Sequence, residues 1–224
     1  MIPALVVLVR STKSAVVNKI TTIIFDYGGV LGSEAPIYFD NFYTDFSDLL
    51  LFLELPVEQA KTIWKQHWFD LKTDKISLDD FWHILKKETG KDFDIPDLKK
   101  KYFAKFKVDY KAFDIVQKLK KNRYKLFILA NESREGMGHK VMKFDLDQMF
   151  AKVYCSAYHK IAKPDIALYR YVATDLEVPA EQILFIDNSE KNLEPAKIIG
   201  WQTILFTKTD KLVKELNELG IQIN

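Results

Sequence analysis

The chain has 224 residues, 48% of them apolar, which supplies a sizeable core and excludes a globally disordered protein. Thirty-three Lys and Arg against 31 Asp and Glu leave a net charge of +2, too balanced for a field that holds nucleic acid without sequence preference. The length admits one large domain or a core with a modest insertion.

In chain order, residues 2–9 are apolar but too few to span a bilayer. No Lys or Arg precedes them as in a secretory signal. Residues 1–18 are therefore expected to be a poorly ordered leader, and the chain to be cytoplasmic with no membrane partner. Thr21-Thr22-Ile23-Ile24-Phe25 is a β-branched run that ends at Asp26 and Gly28-Gly29, the pattern of a buried strand entering a Gly-rich turn.

The next stretch has a different texture. Phe39, Phe42, Tyr43 and Phe46 share one helical face, as do Ala60, Trp64, His67, Trp68 and Leu71. Ser77 with Asp80 three residues on marks a helix start before Phe81, Trp82 and Leu85. These features predict an α-helical insertion whose aromatic stripes pack as a small core.

Beyond the insertion, apolar positions in residues 109–121 repeat at helical spacing. Residues 124–129 form a strand-like run ending before Asn131, and residues 152–155 form another. Ile166, Tyr169, Val172, Ala173 and Leu176 lie on one helical face. Residues 182–186 run into Asp187, and residues 203–206 complete a fifth strand. Strands alternating with helices predict an α/β fold: a Rossmann-like parallel sheet flanked by helices. Ligands of such sheets sit at the carboxyl ends of the strands, where Asp26, Asn131 and Asp187 each fall.

Several other features carry less. Cys155 is the only cysteine, so an internal disulfide is impossible and a reducing compartment suits it. Within Val153-Tyr154-Cys155 it reads as a small buried residue. Four histidines lack metal-ligand spacing, so zinc is not indicated. Lys99-Lys100-Lys101 and residues 118–121 read as solvated helix faces.

Phe25-Asp26-Tyr27-Gly28-Gly29-Val30-Leu31 resembles the first motif of the haloacid dehalogenase-like hydrolases. Ile128-Leu129-Ala130-Asn131 resembles the second and Ala162-Lys163-Pro164-Asp165 the third. Phe185-Ile186-Asp187-Asn188 with Asn192, Ala196 and Gly200 resembles the fourth. The resemblance spans residues 23 to 200 and implies a hydrolase core (residues 19–33 and 108–224) with a helical cap (residues 34–107) between the first two motifs. It implies that Asp26 is a covalent nucleophile forming an aspartyl phosphate, with Lys163 neutralising it and the transferring group. Gly28, Gly29, Asn131 and Lys163 would bind the phosphoryl group. Asp26, the carbonyl of Gly28, Asp187 and Asn188 would supply oxygen ligands to Mg²⁺, a hard cation.

The chain departs from that pattern at three positions. Gly28 stands where the family's phosphatases commonly carry a second Asp as general acid and base, a group worth about 10²–10⁴-fold. Ala130 replaces a usual Ser or Thr, and Ser133 lies too far along to substitute. Asn188 stands at the usual metal-binding Asp, which lowers the charge offered to Mg²⁺ and leaves Asp187 as the alternative ligand. The expectation is a Mg-dependent phosphatase of a small phosphorylated metabolite, monomeric or homodimeric. The alternatives are a metal-independent dehalogenase-type hydrolase and a catalytically weak or inactive binding protein.

Overall fold

The computed structural model describes residues 19–32 and 55–223. The leader and the face formed by Phe39, Phe42, Tyr43 and Phe46 lie outside the described residues. Five strands form one fully parallel sheet: β1 (Thr22–Phe25), β2 (Lys125–Ala130), β3 (Lys152–Cys155), β4 (Ile183–Asp187) and β5 (Gln202–Leu205), in the order β3-β2-β1-β4-β5. Each strand begins and ends within one residue of its sequence expectation.

β1 is buried throughout because it lies between β2 and β4 with helices over both faces. Its side chains alternate as the pleat requires. Ile23 and Phe25 face a core closed by α4 (Tyr110–Lys121) and α10 (Thr209–Glu218). Ile24 faces the opposite core, under α8 (Ile166–Leu176) and α9 (Glu190–Ile198). The remaining core helices are α5 (Arg134–Lys143) and two single turns, α6 (Leu146–Met149) and α7 (Ser156–His159).

Between β1 and β2 run α1 (Val57–Lys72), α2 (Leu78–Thr89) and α3 (Ile95–Ala104). They enclose their own aromatic core, with Trp64, Trp68, Phe81, Trp82 and Tyr102 buried together. Trp64 and Trp68 stack at 4.8 Å, as expected of side chains four apart on one helix face. Ser77 and Asp80 form the capping box that opens α2. The burial bears out packing as the role of these aromatics.

The inserted helices are tied to the sheet domain by charge. Arg134 grips Asp74 with two nitrogens at 2.9–3.1 Å and donates to the carbonyl of Ala157 at 3.1 Å. Lys99 bridges Asp79 on α2 and Glu135 on α5 at 2.8 and 2.7 Å. This corrects its reading as a solvated residue: it sits between two elements, each presenting a carboxylate. Cys155 is fully buried, and no helix among the described residues is long and apolar enough to cross a membrane.

Candidate active site

β1 and β4 end side by side. Phe25 is level with Ile186, and the amide of Asp26 donates to the Ile186 carbonyl at 2.8 Å. This register brings the carboxylates of Asp26 and Asp187 to the same rim of the sheet. Lys163 lies between them, its ammonium 2.8 Å from Asp26 Oδ1 and 2.6 Å from Asp187 Oδ2. All three are buried.

A buried ion needs a partner and further hydrogen bonds to offset desolvation. Burial weighs against the Lys163 ammonium, but Asp187 and Asp26 outweigh it and its pKa is raised. Burial raises the pKa of Asp26; Lys163 opposes the rise, and the like charge of Asp187 adds to it. Desolvation therefore sets that direction, and the second carboxylate reinforces it.

The turn after Asp26 is built on its neighbour's backbone. Val30, Leu31 and Gly32 donate to the carbonyl of Tyr27 at 3.3, 2.9 and 2.8 Å, and the Tyr27 amide donates to Asp26 Oδ1 at 2.7 Å. Gly29 holds a left-handed φ of 69°, and a Cβ there would lie 2.3 Å from Asn188 Nδ2. The left-handed conformation favours glycine, and a Cβ would also require the Asn188 side chain to move aside. Among the described residues no hydrogen bond engages the amides of Gly28 and Gly29, so two donors stand beside the Asp26 carboxylate.

Asn131, just past β2, exchanges hydrogen bonds with the backbone of Lys163. Its Nδ2 donates to the Lys163 carbonyl at 2.9 Å, and its Oδ1 accepts from the Lys163 amide at 2.8 Å. Ala130 is buried in the core. The Ser133 hydroxyl donates to Glu132 and accepts from the Gly136 amide, so it is committed to the start of α5.

The oxygens open to a cation can be read directly. Asp187 is already engaged by Lys163, the Ser189 amide at 2.8 Å and Asn192 Nδ2 at 3.1 Å to each oxygen. Asn188 is exposed and reaches over Gly29. Among the described residues no group of three or more His, Cys, Asp or Glu side chains could hold a metal ion. Asp26 Oδ2, the Gly28 carbonyl and Asn188 Oδ1 accept no hydrogen bond among the described residues. Oxygens of this kind match Mg²⁺ in donor type, with a single formal charge among the three.

Three features near this rim escape sequence reasoning. Glu132 and Lys140 form a second buried ion pair at 2.7 Å, with the ammonium 4.6 Å from the rings of both Tyr27 and Phe106. Lys72 ends α1 facing the charges of Lys191 and Lys163. Arg134 and Asp74 join the insertion to the core. None has a sequence signal, since each brings common charged residues together by tertiary packing.

A sequence profile described as haloacid dehalogenase-like hydrolase matches residues 67–206. The chain belongs to that family. Among curated relatives, a sesquiterpene phosphatase of Aspergillus oryzae is 23% identical over 88% of this chain and 94% of its own. A drimenol cyclase of Aspergillus calidoustus is 28% identical over 50% of this chain. The chain spans only 22% of that cyclase and 24% of a pig bifunctional epoxide hydrolase 2. A HAD family enzyme from Bacteroides thetaiotaomicron superposes with a TM-score of 0.73 at 20% identity, over 84% of this chain and 94% of its own. That likeness establishes the fold.

Proposed function

We propose that this hydrolase is a phosphatase acting through an aspartyl-phosphate on Asp26. One observation carries the reading: the Asp26 carboxylate, 2.8 Å from Lys163, adjoins two backbone amides with no other partner among the described residues. An anionic nucleophile attacking an anionic phosphoryl group needs that combination of cation and preorganised donors.

In the first step Asp26 Oδ2 attacks phosphorus and the bond to the leaving oxygen breaks. In the second, water attacks the aspartyl phosphate, releasing inorganic phosphate and regenerating the carboxylate. Lys163 holds Asp26 ionised and offsets the charge of the transferring group. The Gly28 and Gly29 amides cradle its oxygens. Asn131 fixes Lys163 through its backbone, and its second amide proton supplies a phosphoryl donor.

The Bacteroides enzyme also forms a complex with magnesium and inorganic phosphate. Here Asp26, the Gly28 carbonyl and Asn188 would hold Mg²⁺, with Asp187 as a hydrogen-bonded support. The ion would supply positive charge to the transferring phosphoryl group. The helices between β1 and β2 serve as a cap that excludes water, over a core of residues 19–33 and 108–224, in a cytoplasmic enzyme. A metal-independent hydrolase of the dehalogenase type is the second reading, favoured by Asn188 in place of a metal-binding carboxylate.

The test is hydrolysis of an aryl phosphate by the full chain, with Mg²⁺ and with chelator. Turnover that requires Mg²⁺ and disappears in Asp26→Asn is expected. Turnover unchanged by chelator would favour the second reading, and equal turnover in Asp26→Asn would sink the covalent mechanism.

A further inference from the structure

Most lysines near this rim have a counter-ion. Lys163 is shared by Asp26 and Asp187, Lys140 pairs with Glu132, and Lys99 bridges Asp79 and Glu135. Lys72 and Lys191 are different. Among the described residues neither makes a hydrogen bond or ion pair, and the one contact of the Lys72 ammonium is the Phe69 ring at 5.6 Å.

The backbone fixes where these two cations stand. Lys72 is the last residue of α1, which packs against α7. Two residues on, Asp74 is gripped by Arg134, which also holds the Ala157 carbonyl. The end of α1 is thereby fastened above the loop that carries Lys163. Lys191 lies in the first turn of α9, just past Asn188.

Lys72 is half-buried. Desolvation, followed by the charges of Lys191 and Lys163, lowers its pKa. Cations that face one another without an anion are an unfavourable arrangement, and a bound anion relieves it.

A second observation limits what that anion is. Position 28 is glycine, so no side chain there protonates a leaving group. Among the described residues, the acids Asp187 and Glu132 near this rim are each engaged by a lysine. An alcohol leaves poorly without a proton, since its pKa is near that of water, about 15.7. A phosphate monoester leaves readily, because its second ionisation lies near about 6.

We propose that the substrate is a diphosphate monoester, and that Lys72 and Lys191 bind its inner phosphoryl group as Asp26 takes the outer one. This deepens the phosphatase reading and rests on it. Asp26 attacks the terminal phosphorus, and the bond to the bridging oxygen breaks. The organic monophosphate departs as an anion needing no protonation. Water then cleaves the aspartyl phosphate to inorganic phosphate, so one diphosphate and one water give one monophosphate and one phosphate. The inserted helices would contribute Lys72 to that inner phosphoryl group and the core helix α9 would contribute Lys191.

The experiment compares n-octyl diphosphate, n-octyl monophosphate, a phosphorylated hydroxy acid and an aryl phosphate as substrates of the full chain, followed by phosphorus NMR. The diphosphate is expected to exceed the alkyl monophosphate in kcat/KM by about 10²-fold or more, the scale of a missing general acid, with n-octyl monophosphate accumulating. Lys72→Met and Lys191→Met should each lower the ratio of diphosphate to aryl phosphate turnover by about tenfold, the loss of a charge-assisted contact.

Methylenediphosphonate provides a readout independent of turnover. It should bind the wild type about tenfold more tightly than methylphosphonate, and Lys72→Met should remove that advantage. Equal rates on alkyl diphosphate and monophosphate, preference for the phosphorylated hydroxy acid, or equal binding of the two phosphonates would each overturn the proposal. Aryl phosphate turnover in those cases leaves the phosphatase reading standing. Absence of Asp26-dependent turnover on every substrate removes that reading and this one together.

Discussion

Asn131 and Lys163, thirty-two residues apart in the chain, hold each other through a reciprocal pair of hydrogen bonds at 2.9 and 2.8 Å. The side chain just past β2 thus supplies the partners that the Lys163 backbone would otherwise take from water. It places the Lys163 backbone where its ammonium reaches both Asp26 and Asp187. Asn131→Ala leaves the amide and carbonyl of Lys163 without these partners. It should cost about 1–3 kcal/mol of stability and lower kcat, read by urea unfolding and steady-state kinetics. Full activity at unchanged stability would refute the positioning role.

Lys163→Met isolates two buried carboxylates. Removing one partner of a buried ion pair costs about 3–5 kcal/mol, and here two anions lose the same cation. The pKa of Asp26 is already raised in the native protein, and the variant raises it further. A carboxyl whose folded pKa exceeds its unfolded value favours the fold below the unfolded pKa and loses that contribution as pH rises through the folded one. The deficit of the variant should therefore shrink on acidification towards pH 5 from pH 8. Urea titrations in chelator at several pH values measure it, and a deficit independent of pH would refute the explanation.

In the proposed Mg²⁺ set Asn188 would offer a neutral oxygen. Asn188→Asp adds a second negative charge beside Asp26 at nearly constant volume and should tighten Mg²⁺ binding by about tenfold or more, in line with the charge dependence of such sites. Isothermal titration calorimetry with MgCl₂ tests this directly. Unchanged affinity would exclude position 188 from the metal set.

The Glu132–Lys140 pair predicts non-additive substitution. Lys140→Met strands a carboxylate that is 6% exposed as a residue and should destabilise the protein by about 3–5 kcal/mol. Glu132→Gln combined with Lys140→Met removes the stranded charge, so the double variant should be more stable than Lys140→Met alone. Chemical denaturation of the four proteins completes the cycle. A double variant as unstable as the sum of the two single ones would mean that the residues do not act as a pair.

How much of this was visible beforehand differs from residue to residue. The strands could be read because each is a short apolar run, and β1 ends just before Asp26 and β4 at Asp187, a local pattern. Ser77 and Asp80 announced the start of α2 for the same reason: a capping box is complete within four residues. The strand-end positions of Asp26, Asn131 and Asp187 followed from topology, since a parallel sheet brings its carboxyl ends to one rim.

Local pattern carried no information about which side chains meet across that rim. Lys140 has the spacing of a solvated helix residue, yet it is buried against Glu132. Lys99 lies in a basic run, yet it bridges two elements. Asp187 ends a strand, yet nothing local indicates that Lys163, Ser189 and Asn192 all donate to it. The sequence by itself determined the alternation of strands and helices, the place of Asp26 at a strand end and the glycine turn beside it, because these depend on residues near one another in the chain. The tertiary structure alone decided which charge each buried lysine and carboxylate would face. Such pairing is set by register and helix packing among residues far apart in sequence, and at close range in a dry interior it outweighs local preference.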